Sequence, residues 1–191
     1  MRRISAVALL IVLLGLPIPT ASLAGEQTGI PPETVANYLH AVIEADRTFY
    51  TIHVVERMQK GGGVAAAENW RATKNTLPLP AQFLMESSAL AAMTGTPVRY
   101  RLISLWPINP LNVPRSAAEK AGLESLLTHP ERVVTGTVTQ GNDTYFQAIY
   151  ADRAVSQSCV GCHNTHPQSA KKDFKLNEAM GGLVIEIPMG R

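Results

Sequence analysis

Both cysteines of the chain lie in one nine-residue stretch, Cys159-Val160-Gly161-Cys162-His163-Asn164-Thr165-His166-Pro167. Two thiols three residues apart, followed at once by an imidazole, form CxxCH, the attachment sequence of c-type haem. Cys159 and Cys162 can each add across one vinyl group of the same porphyrin, and His163, the next residue, is placed to give a nitrogen to iron. Three other chemistries use similar residues. A redox-active thiol pair needs its first cysteine at a helix N-terminus inside a thioredoxin-like βαβ unit, whereas the preceding DTYFQAIYADRAVSQS predicts a strand running into a loop. A zinc site from Cys159, Cys162 and His166 lacks a second pair of ligands at knuckle spacing. An inert disulfide leaves His163 without a role, and so small a loop removes little entropy from the unfolded chain. Covalent haem, one per chain, is the expectation.

A sixth iron ligand, or its absence, decides what such a haem does. The donors on offer are His40, His53, His129, His166, Met58, Met85 and Met93. His166 is only three residues past His163 and would strain to reach the opposite face of a ring. His53 is the first choice, because it sits mid-helix in FYTIHVVERM with aromatic residues at helical spacing. A histidine satisfied at the edge of the helix packing is the alternative. Met58 and Met85 are the weaker candidates, since methionine more commonly fills core gaps. Histidine opposite histidine gives a lower potential than methionine opposite histidine. Lys171 and Lys172, with Lys175, follow the motif and could neutralise haem propionates; a solvated loop is the alternative.

The start of the chain agrees with a covalently held cofactor. MRRISAVALLIVLLGLPIPTASLAGEQ has two arginines, a short apolar run and then small residues, the order of a signal peptide with cleavage expected after Ala24. The run from Ile4 to Leu16 is too short to span a bilayer, which takes about 20 apolar residues. Residues 1–24 are thus expected to be removed, leaving 25–191 as one periplasmic domain with no membrane insertion. Cleavage takes away two of the 17 Lys and Arg and none of the 15 Asp and Glu, so the mature chain is formally neutral. Nucleic acid and anionic membranes need a basic excess and are not expected partners.

The elements that must position the motif follow from periodicity. Apolar residues from Val35 to Met58 at helical spacing predict one helix over 32–60. GGG breaks it, 65–74 predicts a short second helix, and 80–93 a third, ending at Thr94-Gly95. Residues 98–106 alternate like a strand and are closed by PINPLNVP. A helix over 116–127 opens with Ser116 and Glu119 at capping-box spacing. Strands over 132–140 and 144–151 joined by GND predict a hairpin, and LVIEIPM a last strand. Helices followed by a mostly antiparallel sheet make an α+β fold, with the motif on a loop between the third and fourth strands.

These residues also resemble a known family. SCVGCHNTHPQSAKKDFKLNEAMGGLVIEIP, DRTFYTIHVVERM, LPLPAQFLMESSAL and RLISLWPINPLNVP are similar, in order, to segments of periplasmic c-type haem domains with a PAS-like fold, found alone or ahead of bacterial histidine kinases and adenylate cyclases. The resemblance implies a PAS-like antiparallel sheet flanked by helices, with one haem held by Cys159, Cys162 and His163. It departs from the pattern at Ala170, Phe174 and Met180, where relatives often carry proline, tryptophan and a nearby arginine. Some relatives use a cysteine as sixth ligand, which this chain cannot spare.

Two functions are expected from this. One is a monohaem cytochrome passing single electrons or reporting redox state, with a redox partner protein or a membrane-bound signalling protein. The other is a haem sensor of a small gaseous ligand that signals through a separate protein. No acid–base constellation for an enzyme is visible.

Overall fold

The computed structural model describes residues 29–189; the expected signal peptide, 1–24, lies outside them. Helix α1 (Pro32–Phe49) starts with proline at its first position, where a missing N–H costs nothing, and with Glu33 in the first turn. It continues without a break through a π-helical segment (Tyr50–Glu56) into α2 (Arg57–Gly61). The single predicted helix is therefore present, with a wider middle than its periodicity foretold. In that segment Thr51 is fully buried and its hydroxyl donates to the Arg47 carbonyl at 2.7 Å. The Tyr50 hydroxyl donates to the Pro78 carbonyl at 2.8 Å, and its ring stacks on Phe83. Gly62, at φ 71°, ends α2 in a conformation that favours glycine.

The helix expected over 65–74 does not form. Strand β1 (Ala65–Ala66) pairs in parallel with β2 (Thr76–Leu77), and turns fill the interval. The alanines that favour a helix are overruled by local anchors. The Thr76 hydroxyl donates to the carbonyls of Trp70 and Thr73, and Asn75 adopts a left-handed φ of 56°. Helix α3 (Pro80–Met93) has the predicted bounds; its start is held by Gln82, whose Oε1 accepts from the Leu79 N–H at 2.9 Å.

Strand β3 (Arg99–Ile103) is shorter than predicted, because Ser104 turns away and its N–H donates to the carbonyl of Asn112, the last residue of a 3-10 turn at Pro110–Asn112. Helix α4 (Ala117–Thr128) is capped by Ser116, whose Oγ accepts from the Glu119 N–H at 3.1 Å. Only half of the expected capping box exists. The Glu119 carboxylate accepts instead from the Arg115 N–H, Arg101 and Gln147. A buried guanidinium offers it a charged partner that the Ser116 backbone cannot match.

Strands β4 (Val133–Gln140) and β5 (Asp143–Arg153) form the predicted hairpin, turning on Gly141 at φ 64° and Asn142. Strand β6 (Ala179–Pro188) completes a four-stranded antiparallel sheet of order β3-β6-β5-β4. The fold is thus α+β, as expected. Helices α1 and α3 cover one face, over Leu102, Ala148, Tyr150, Leu183 and Ile185. On the other face, Leu123 and Leu126 of α4 pack against Ile103, Ile149 and Val184. Central β6 is squeezed on both sides, and a Cβ on Gly181 would sit 2.3 Å from the Ile103 carbonyl oxygen. Among the described residues no helix is long and apolar enough to cross a membrane.

Candidate functional site

The cysteine motif lies between β5 and β6, as expected, but on a helix, α5 (Gln157–Thr165), where a loop was predicted. Ser156 makes the difference. Extended at φ −151°, it turns its Oγ onto the Cys159 N–H at 3.4 Å and caps the helix. A helix gives the motif's spacing its meaning. Cys159 and Cys162 stand at i and i+3, and His163 at i+4 from Cys159, so all three share one side.

Both thiols are free; Cys159 is half-buried and Cys162 exposed. Cys159 packs with Val160 and Trp106 onto a small core of Ala154, Phe174 and Met180. Because Cys159 lies in the first helical turn, helix position no longer argues against thiol–disulfide chemistry. What tells against it is the setting: α5 joins β5 to β6, which pair antiparallel, and not the parallel strands of a thioredoxin-like βαβ unit. Desolvation, with Glu68 and Cys159 adding to it, raises the Cys162 pKa.

His163 is half-buried, edge-on to the Phe174 ring at 5.8 Å. Burial lowers its pKa; Arg47 and His166 act in the same direction and Asp152 opposes. The imidazole is therefore neutral at pH 7, the form that binds a metal. Its Nδ1 is buried without a hydrogen-bond partner, a cost that native structures normally avoid unless a bound group or water completes the site. Two free thiols and a neutral, incompletely satisfied imidazole on one helical side fit a covalently attached haem.

Residues far away in sequence brace this helix. Arg47 of α1 forms an ion pair with Asp152 at the end of β5, both mostly buried. Glu56 accepts from the Ser158 hydroxyl at 3.1 Å, tying the π-helical segment to the start of α5. Asn164 makes a reciprocal pair with the Phe174 backbone, Nδ2 to the carbonyl at 2.9 Å and the N–H to Oδ1 at 3.0 Å. Asn164 follows the motif directly, so adjacency was a usable signal. Arg47 and Asp152 are 105 residues apart, and nothing in the sequence pairs them.

The other predicted residues are placed differently. His53 is exposed on the solvent side of its helix, its ring 4.9 Å from Phe49, while Arg47 and Glu56 reach β5 and α5 from other sides. Met58 on α2 and Met85 on α3 are exposed as well. His166 turns to Glu68, with Nε2 at 3.4 Å from the carboxylate. Lys171 lies over Phe174, Nζ 4.7 Å from the ring centroid, and is paired with Asp173 and with Glu178 at 3.2 Å; its charge is already balanced by carboxylates. Lys172 is exposed.

The family described as Tll0287-like matches residues 28–188. Among solved structures, the chain is similar to the cyanobacterial heme-protein Tll0287, with a TM-score of 0.54 and 18% identity over 85% of this chain and 99% of that one. No curated protein matches it. At that identity the structural likeness speaks for the fold, and the family match spans nearly all of the described residues. This chain belongs to the Tll0287-like family.

Proposed function

We propose that the protein is an exported, periplasmic, monohaem c-type cytochrome-like protein of PAS-like fold that transfers single electrons or reports redox state. Cys159 and Cys162 hold one haem c covalently, and His163 is its proximal ligand. The observation that carries this reading is the arrangement on α5: two free thiols and a neutral imidazole, sharing one side of a capped helix, with Nδ1 left buried and unpartnered. The solved relative, itself described as a heme-protein, supports it.

A haem held there supplies one-electron iron chemistry. The chain's own residues do the rest. Phe174, Ala154 and Met180 close the underside of α5 against water. Burial keeps His163 unprotonated, so its lone pair is available. Arg47 and Asp152 set a fixed charge pair near the proximal side, which acts on the potential. The protein is read as a carrier or reporter and not as an enzyme, working with a redox partner protein or a membrane-bound signalling protein.

A second reading is a sensor of a small gaseous ligand signalling through a partner, which needs a weak or absent sixth ligand. Protein purified from a host that assembles c-type cytochromes tests both. Expected are a mass increased by one haem that survives acid denaturation, its loss in the Cys159→Ala/Cys162→Ala variant, and an altered spectrum in His163→Ala. Colourless material at the mass of the bare polypeptide would remove the proposal. Prompt carbon monoxide binding to the reduced protein selects the sensor; an unchanged six-coordinate spectrum selects electron transfer.

A further inference from the structure

We propose that two copies of this chain pair through strand β4, edge to edge and antiparallel, into one continuous sheet. Strand β4 lies at an end of the sheet, and among the described residues no strand pairs with its outer side. The two-residue turn at Gly141-Asn142 makes Gln140 and Asp143 a pair that exchanges both hydrogen bonds. The alternation along the strand then turns the N–H and C=O of Val134, Gly136 and Val138 to β5, and those of Val133, Thr135, Thr137 and Thr139 outward. Such an outward row is a template for a further strand.

Native edges are commonly blunted by shortness, charge, proline, a bulge or a covering element. The opposite edge, β3, is blunted. It is five residues long and carries Arg99 and Arg101, and its Tyr100 carbonyl accepts from the Ser88 hydroxyl of α3 at 2.6 Å. Strand β4 has none of these devices. Its eight residues include no charge and no proline, and its register with β5 runs without a shift.

The order of side chains in β4 selects a second copy as the partner. Val134-Thr135-Gly136-Thr137-Val138 reads the same in both directions. An antiparallel copy centred on Gly136 sets Val134 against Val138 and Thr135 against Thr137, so like meets like at every position. The same register brings the outward residues opposite one another, as the ladder requires, for about eight backbone hydrogen bonds. The valines fall on the α4 side, where Val134 already packs, and the exposed threonines pair on the other.

A two-fold axis through Gly136 leaves room for both bodies. Helix α4 sits over β5, with Gly122 against Ile149 and Val134. Its two copies would lie three strand spacings apart, about 14 Å, beyond the 8–10 Å at which packed helices meet. On the other face α1 and α3 cover β3, β6 and β5 and leave the β4 threonines exposed. The joined sheet ends in two β3 edges, both blunted, so the contact closes as a dimer and does not propagate.

The haem-loaded protein, its N-terminus identified by mass, is followed by sedimentation equilibrium from about 10 µM to 1 mM, since so small a contact makes a weak dimer. The expected result is a reversible monomer–dimer equilibrium. Amide exchange at Thr135 and Thr137 should slow as the dimer fills, with Gly136, already bonded to β5, unchanged. Thr137→Pro removes an outward N–H and spares the ladder to β5. By symmetry the bond is lost twice, so the dimer should weaken about tenfold or more. Thr135→Lys with Thr137→Lys sets like charges opposite one another and should weaken it as well, whereas Thr135→Lys with Thr137→Glu sets opposite charges there and should restore it. Unchanged circular dichroism in the lysine-bearing forms separates these effects from misfolding. A monomer at every concentration overturns the proposal. So does a dimer that Thr137→Pro and the paired lysine substitutions leave intact, or one that Thr135→Lys with Thr137→Glu fails to restore, which would put another surface or another register at the contact.

Discussion

His163 and Asn164 are neighbours with separate duties, one offering a lone pair on the motif side and the other fastening the helix to the Phe174 backbone. Asn164→Ala removes both hydrogen bonds of that clamp and leaves a carbonyl and an N–H without partners. At about 1 kcal/mol for each bond lost, the variant should lose about 2 kcal/mol in urea unfolding, and Phe174 should become less protected from solvent. His40 sets a pH dependence at a distance from the motif. It stacks on Tyr150 at 3.9 Å, and burial lowers its pKa below the ordinary 6.5 although Glu44, 3.4 Å away, opposes the shift. A histidine depressed in the folded state binds its proton first in the unfolded chain. The stability it lends is therefore complete above pH 6.5 and lost as pH falls through the folded value. His40→Phe keeps the stack without the titration. Denaturation midpoints of the two proteins between pH 7.5 and 5 should diverge, with the wild type falling faster as pH is lowered. Tyr150 beneath it is pushed up to about 12 by burial and donates to Asn37 at 2.8 Å, so it stays neutral throughout this range.

Among the elements, those with strong local signals were legible: α3 between Pro80 and the Thr94-Gly95 stop, α4 behind its Ser116 cap, and the β4–β5 hairpin at Gly141. Two were not, for physical reasons. Residues 65–77 hold helix-favouring alanines but bury no stripe, so side-chain bonds from Thr76 and a left-handed Asn75 decide their path. The motif segment was expected as a loop because a run of Ser, Cys, Gly and Asn carries no apolar periodicity. Ser156, three residues before Cys159, was the available signal, an N-cap that makes the helix start where the chemistry needs it. The Gly181-Gly182 pair in β6 is a further sign that was visible without its cause. A methyl at Gly181 would meet the Ile103 carbonyl oxygen at 2.3 Å, and one at Gly182 would meet Ile149 and Leu123 at 2.8 and 2.9 Å. Backbone cannot yield as a flexible side chain can. Gly181→Ala should cost about 3 kcal/mol and shift the melting temperature down accordingly, and an unchanged melt would show that β3 and β6 can separate.

At the scale of the whole molecule, α1 is fastened to the sheet by apolar packing and by one ion pair, Arg47–Asp152, with 13% and 12% of the side chains exposed. A pair so buried is costly to break and worth little when replaced whole. Arg47→Met should therefore destabilise by about 3 kcal/mol, by leaving the Asp152 carboxylate alone. Arg47→Met with Asp152→Leu should recover most of that loss, and a double-mutant cycle in urea measures the difference. The same double variant removes the Arg47 and Asp152 charges that act on His163, so, on the proposed function, a shifted reduction potential of the haem-loaded protein without loss of fold would separate electrostatic tuning from architecture.

What the sequence determined unaided was local: the CxxCH spacing, the α+β order of elements, the caps and turns of several of them, and, as expectations, covalent haem and an export signal. These depend on neighbours within a few residues, where spacing and side-chain type carry the physics. The tertiary structure alone decided that the motif is helical, that Arg47, Asp152, Glu56 and Phe174 surround it, and that His53 faces outward with Phe49. Those relations join residues up to 105 positions apart. Burial, charge pairing and close packing act through space, and no periodicity along the chain records them.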